Sequence, residues 1–176
     1  MAFVLEKQVA IAAVQRACKL TASVFNKLVK NETVVKGDKS PVTGSFRSHI
    51  LIDPLYSWNL SPSCHITVAD YSAQAVINSI LHRAFPQDPI VGEESASDLR
   101  SDTSEKSTLL KKRITELATE ALVSSLEHGE AESWGVGPKF ADSWTTDALL
   151  DAIDRGNYAG GAKGRELFLR IRFTCQ

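Results

Sequence analysis

Two acidic positions, Asp70 and Glu93, have the residue type and the setting for metal or acid/base chemistry. Between them lie a helical pattern and a short apolar run. Apolar residues recur at Ala73, Val76, Ile77, Ile80, Leu81 and Ala84, which is one face of a helix. Asp70 stands just ahead of that face, where a carboxylate caps free backbone N–H groups and suits the positive end of the helix dipole. The helix is expected to stop near Phe85, because Pro86 follows and biases the preceding residue away from helical backbone. Pro89, Ile90 and Val91 then read as a short buried strand ending at Gly92, with Glu93 and Glu94 directly after it. A strand that delivers carboxylates at its end, facing a helix that starts with Asp, could build a metal or acid/base site. Taken singly, each piece has a plainer reading: Asp70 as an N-cap, and residues 92–95 as a solvated turn.

The elements that must position this pair are mostly helical. Residues 1–30 read as a long amphipathic helix with Val4, Ile11, Val14, Cys18, Thr21, Phe25 and Leu28 on its packing face. Residues 33–35 (TVV) read as a strand start, and 36–39 as a polar turn. Residues 96–106 are polar and are expected to form a flexible loop. Residues 107–126 read as a helix with Leu110, Ile114, Leu117, Ala118, Ala121 and Leu122 on one face. Residues 129–141 are loop-like. Trp134 and Trp144 fit partly buried core edges better than platforms on which a base would stack. Thr145 or Thr146 caps a last helix through Ile153, with Asp147 in its first turn and Gly156 at its end. On this reading Asp147, Asp151 and Asp154 are helix-surface charges rather than metal ligands. Leu167, Leu169, Ile171 and Phe173 alternate, so residues 166–176 read either as a strand beside Ile90 and Val91 or as an out-of-frame tail.

Composition narrows the class. A chain of 176 residues can bury one sizeable core, and 43% hydrophobic with 23% charged residues is ordinary for a globular protein. A formal charge of −1 argues against a nucleic-acid or membrane-surface role. No run is long and apolar enough to span a bilayer, and no signal-peptide core opens the sequence. The three cysteines have no zinc or disulfide spacing and read as free thiols, which together with the missing leader gives a cytoplasmic expectation. Residues 44–65 differ in texture: they show no sustained period, and His49, Cys64 and His65 match no usual metal spacing.

Four separated segments, in order, carry a family likeness: 36–43 (KGDKSPVT), 68–74 (VADYSAQ), 91–95 (VGEES) and 149–165 (LLDAIDRGNYAGGAKGR). Together they resemble the inositol-monophosphatase-like, lithium-sensitive phosphatases, and among these the fungal and plant 3′(2′),5′-bisphosphate nucleotidases. The resemblance implies an α+β fold class: the N-terminal part of the layered inositol-monophosphatase-like (sugar phosphatase) fold, truncated. On it, residues 1–165 are the N-terminal part of the phosphatase domain, interrupted at about 44–67, and 166–176 are an aberrant tail. It implies Mg²⁺ as cofactor, Glu93 as a metal ligand, and Asp70 as the carboxylate that orients and deprotonates the attacking water. The implied substrate is the small molecule 3′-phosphoadenosine 5′-phosphate, cleaved to AMP and phosphate in sulfur assimilation and salt tolerance, with no nucleic-acid or membrane partner. Inositol phosphates are the alternative substrate class.

The chain departs from the family in two places. In the family Ser-Pro-Val-Thr runs directly into Val-Ala-Asp, whereas here residues 44–67 intervene. That segment reads as translated intron sequence, with a natural surface insertion as the alternative. After Gly-Gly-x-x-Gly-Arg the family continues to Asp-Pro-Ile-Asp-Gly-Thr, which supplies two aspartates and a threonine, and later to a Trp-Asp motif. Here ELFLRIRFTCQ follows instead. The expectation is therefore a chain of weak or no activity as written, with a non-catalytic or partner-binding fragment as the rival reading.

Overall fold

The computed structural model describes residues 3–36, 62–127 and 129–159; side chains are described for 3–26, 68–127 and 129–159. The expectations for the 36–43 segment beyond Lys36, for 44–61, and for the strand or tail at 166–176 lie outside the described residues. Among the described residues five α-helices occur in order: α1 Val4–Lys36, α2 Pro62–Ala84, α3 Ser97–Ser101, α4 Glu105–Val123 and α5 Thr146–Asp154. Two 3₁₀ turns, Glu132–Trp134 and Pro138–Ser143, connect α4 to α5. Among the described residues the architecture is helical. The one extended pairing is a single antiparallel bridge between Val91 and Asn157, so the described part bears out helices but shows no sheet.

α2 is the central element and packs against α1, α4 and α5. Its Ala73, Ala75, Val76, Ile77 and Ile80 are buried, as the spacing of that stretch predicts. The helix starts earlier than expected. Pro62 opens it, a position where the missing N–H costs no hydrogen bond, and the helix runs unbroken through Val68. Asp70 is therefore interior to α2 and is not its N-cap.

α1 corrects two further expectations. Thr33, Val34 and Val35 belong to the helix rather than to a strand. Its buried side is also not the anticipated one. Val9, Ala12, Ala13, Ala17, Leu20 and Val24 face the core, while Val4, Ile11, Cys18 and Phe25 are exposed. Small side chains explain the choice: a face rich in alanine lets a neighbouring helix approach closely and bury backbone as well as side chains.

Arg16 lies on that buried side and reaches across to the segment after α4. Its guanidinium donates to both carboxylate oxygens of Glu130 (Nε–Oε1 2.7 Å, Nη2–Oε2 2.5 Å), to Ser124 Oγ at 2.6 Å, to Ser125 O at 3.2 Å and to Ala121 O. Both side chains are almost fully buried, at 3% and 5% exposure. Sequence reading did not single out this pair.

The second half follows its local signals more closely. Ser104 caps α4 by accepting from Ser107 N at 3.1 Å, and Ile114, Leu117, Ala118 and Leu122 are buried. Thr145 caps α5 by accepting from Ala148 N at 3.2 Å, and Leu149, Leu150, Ala152 and Ile153 face inward. The polar stretch 96–106 is not simply a loop. It contains α3, anchored by buried Leu99 and by Arg100, which bonds Asp151 (2.5 Å) and Asp154 (3.1 Å) of α5. Trp134 and Trp144 are buried, and the Arg83 guanidinium lies over the Phe140 and Trp144 rings at 5.8 and 5.7 Å. They are core residues and do not offer a face to a base.

Candidate functional site

Asp70 and Glu93 line one cavity of about 80 Å³, together with Gln74, Asn78, Gly92 and Glu94. The two carboxylates that spacing suggested are thus brought together, although neither sits as expected. Asp70 projects from within α2 rather than from its start. Glu93 follows Val91, which is 41% exposed and makes only an isolated bridge, so the buried strand anticipated at Ile90 and Val91 is absent. Three residues bury too little backbone to sustain a strand alone, and among the described residues there is no sheet for them to join.

The loop is held by α2 and by the end of α5. Gln74 lies one turn beyond Asp70. Its Oε1 accepts from Glu93 N and Glu94 N, each at 3.0 Å, and its Nε2 donates to Glu94 O at 2.7 Å and to Ile153 O at 3.1 Å. One further turn along, Asn78 Nδ2 donates to Ala152 O at 2.9 Å. The last carbonyls of a helix lack regular intrahelical partners; at the end of α5 Asn78 supplies one to Ala152 O, and Gln74 adds a second donor to Ile153 O, which also accepts from Gly156 N at 3.0 Å. Gly92 N donates to Gly156 O at 2.8 Å. Asp154 accepts from Ala96 N at 2.8 Å, fixing the other end of the loop. Asp151 and Asp154 are accordingly occupied by Arg100 and by the loop, as surface-charge roles require.

Two glycines make the approach possible. A Cβ at Gly92 would come within 2.6 Å of the Gln74 amide, and one at Gly156 within 3.0 Å of Gly92 Cα. Sequence reading used these glycines only as punctuation. It missed Gln74 and Asn78 altogether, because single polar residues on a helix look like a solvated face. The signal was present in the spacing: Asp70, Gln74 and Asn78 recur every fourth residue and form a polar stripe beside the apolar face.

Negative charge accumulates in this cavity. Burial, and then the Glu93 carboxylate, push the Asp70 carboxyl above its ordinary value. Burial, then Asp70 and Glu93, do the same to Glu94. Burial followed by Glu94 and Asp98 raises the Tyr71 phenol, whose hydroxyl donates a long bond to Ser95 O at 3.4 Å. The donors are hard carboxylate oxygens, which suit Mg²⁺ in kind. In number they are few: among the described residues no three His, Cys, Asp or Glu side chains are placed to share one ion. The residues present therefore fit a cation that keeps most of its waters. No helix of the described residues is long and apolar enough to cross a membrane.

No protein-family model matches the chain. It is similar to the 3′(2′),5′-bisphosphate nucleotidase of Schizosaccharomyces pombe, 36% identical over 169 residues, covering 94% of this chain and 37% of that protein. It is 34% identical over 165 residues to the enzyme of the same name from Emericella nidulans, covering 94% of this chain and 36% of the relative. A probable 3′(2′),5′-bisphosphate nucleotidase of Arabidopsis thaliana is 40% identical over 114 residues, 64% of this chain and 28% of its own. The chain thus spans 28–37% of the length of these relatives. Within that span, which takes in the helix bearing Asp70, the loop at Glu93 and the end of α5, the chain is similar to the 3′(2′),5′-bisphosphate nucleotidases.

Proposed function

We propose that the chain carries the Asp70–Glu93 part of a Mg²⁺-dependent phosphatase site acting on the 3′-phosphate of 3′-phosphoadenosine 5′-phosphate. The observation that carries this reading is the convergence of Asp70, Glu93 and Glu94 on one cavity between α2 and the loop that follows it. The family relation supplies the reaction class: water attacks phosphorus, the bond to the 3′-oxygen breaks, and AMP and phosphate leave.

Glu93 would hold Mg²⁺, which when bound neutralises phosphoryl charge and acidifies coordinated water. Asp70 has the place and the charge to orient the attacking water and accept its proton. The substrate phosphate is anionic, and the carboxylates alone would repel it, so the cation is needed for binding as well as for chemistry. A cavity of about 80 Å³ accommodates an ion with water or a phosphate oxygen. It is well below the ~300–1,000 Å³ of sites that enclose a ligand of nucleotide size. The described residues therefore provide a reacting end and little purchase on adenosine, and turnover by these 176 residues is expected to be weak. A soluble, cytoplasmic setting and freedom from nucleic-acid and membrane partners complete the reading.

Phosphate release from 3′-phosphoadenosine 5′-phosphate, measured with and without Mg²⁺, tests it. The expected result is slow, Mg²⁺-dependent release that falls to background in Glu93→Gln and in Asp70→Asn. Release that neither substitution affects would overturn it. Robust turnover lost in Glu93→Gln would keep the site but refute the expectation of weak activity.

A further inference from the structure

We infer that Gln74 is a positioning residue: its side-chain amide holds the Glu93–Glu94 backbone so that the Glu93 carboxylate shares a cavity with Asp70. The inference rests on the phosphatase reading for its purpose, but its geometry is independent of it. An amide side chain has two donor hydrogens and an acceptor oxygen with two lone pairs. Gln74 uses all four, three of them on the Glu93–Glu94 backbone and the fourth on Ile153 O of α5. Both N–H groups beside the loop's carboxylates are thereby fixed from one atom, Gln74 Oε1.

The surroundings show that the arrangement is specific to this side chain. Gly92 and Gly156 close on the amide so tightly that a methyl group at either position would collide with it or with the loop backbone. Asn78, on the same stripe, braces the carbonyl preceding the one Gln74 takes. Gln74 is one turn from Asp70 on the same helix. The rigid helix therefore sets the distance between Asp70 and the loop, and Gln74 is the link that transmits it. A glutamate here would retain the acceptor but set a negative charge against two carbonyls. A leucine would fill similar volume and leave the Glu93 and Glu94 N–H groups and the Glu94 carbonyl without the partner Gln74 gives them, while Ile153 O would keep the Gly156 N–H.

Outer groups that orient a metal ligand commonly change affinity by about 10–100-fold when removed. The test uses the full chain, Mn²⁺ as an EPR-visible probe, and hydrogen exchange at the Glu93 and Glu94 amides. Gln74→Leu is compared with wild type and with Ile114→Ala, a core variant in α4 that lowers stability without touching the loop. All measurements are made below the melting temperature of the weakest variant.

The expected result is exchange at Glu93 and Glu94 accelerated about 10-fold or more in Gln74→Leu alone, with Mn²⁺ affinity reduced about 10-fold or more in that variant alone. Equal Mn²⁺ weakening in Gln74→Leu and Ile114→Ala would mean a general loss of stability and would overturn the inference, as would unchanged exchange at the two amides. If wild type binds no Mn²⁺, the metal reading of the site fails by itself. Exchange then decides the positioning role alone: acceleration confined to Gln74→Leu supports it, and unchanged exchange refutes it. Should Gln74→Leu fail to fold, Gln74→Asn, whose amide is one methylene too short to span the loop, carries the same two readouts.

Discussion

Removing the Glu130 carboxylate should be among the costliest single changes in this chain. Glu130→Leu leaves the Arg16 guanidinium buried at 3% exposure with only carbonyl and hydroxyl partners. Breaking a buried ion pair by deleting one member costs about 3–5 kcal/mol, because the surviving charge is neither hydrated nor paired. Domains of this size hold about 5–15 kcal/mol in total, so about a fifth or more of the stability is at stake. At about 2–4 °C per kcal/mol for 150–250 residues, the melting temperature should fall by about 6–20 °C. The double variant Arg16→Met/Glu130→Leu removes both charges and should recover most of that loss, since well-packed apolar replacements of buried pairs are often nearly neutral. Urea unfolding followed by tryptophan fluorescence and circular dichroism on the single and double variants measures the cycle.

The same pair predicts a pH dependence. Burial alone would push the Glu130 carboxyl up, but the Arg16 hydrogen bonds, the Glu127 N–H and the charges of Arg16 and Lys19 outweigh it and hold it below the ordinary 4.5. A carboxyl depressed in the folded state contributes stability that is present above its unfolded value and lost as pH falls through its folded one. Acidification from about pH 6 to about pH 3 should therefore destabilise wild type more than Glu130→Leu, which has no such group to protonate. A single variant within about 0.5 kcal/mol of wild type, or a double variant no more stable than the single, would refute the reasoning.

Two smaller changes probe the site and its support. Gly92→Ala should cost about 2–3 kcal/mol, because its Cβ displaces the Gln74 amide and forfeits two or three hydrogen bonds worth about 1 kcal/mol each; a denaturation midpoint equal to wild type would contradict this. Thr145→Ala removes the cap of α5 and should cost about 1 kcal/mol, with Thr145→Ser restoring most of it in the same assay.

How far the sequence was readable varied with the range of the interaction. α4 and α5 were legible because their apolar positions recur at helical spacing and Thr145 marks the start of α5; the Ser104 cap of α4 lay inside the stretch read as a loop. The face of α1 was misread because a stripe of larger residues, Val4, Ile11 and Phe25, outranks alanines on a hydrophobicity count. Close packing prefers the alanines. The start of α2 was misread because residues 62–65 interrupt a family motif and showed no period, yet Pro62 begins a helix that continues through them. Asp70 and Glu93 were legible as a pair since one helix and one turn separate them. Gln74 was not, because a single polar residue on a helix reads as a solvated face; only its four-residue spacing from Asp70 and Asn78 marks it.

The central claim is that Asp70 and Glu93 serve one cation. Paramagnetic line broadening by Mn²⁺ tests it most directly, on the full chain with backbone amides assigned. At substoichiometric Mn²⁺ the amides of Asp70 and Tyr71 and those of Gly92, Glu93 and Glu94 should broaden together, and Glu93→Gln should abolish the effect at both segments. Broadening centred instead on Asp147 and Asp151, or broadening at the loop that leaves Asp70 sharp, would contradict the shared site.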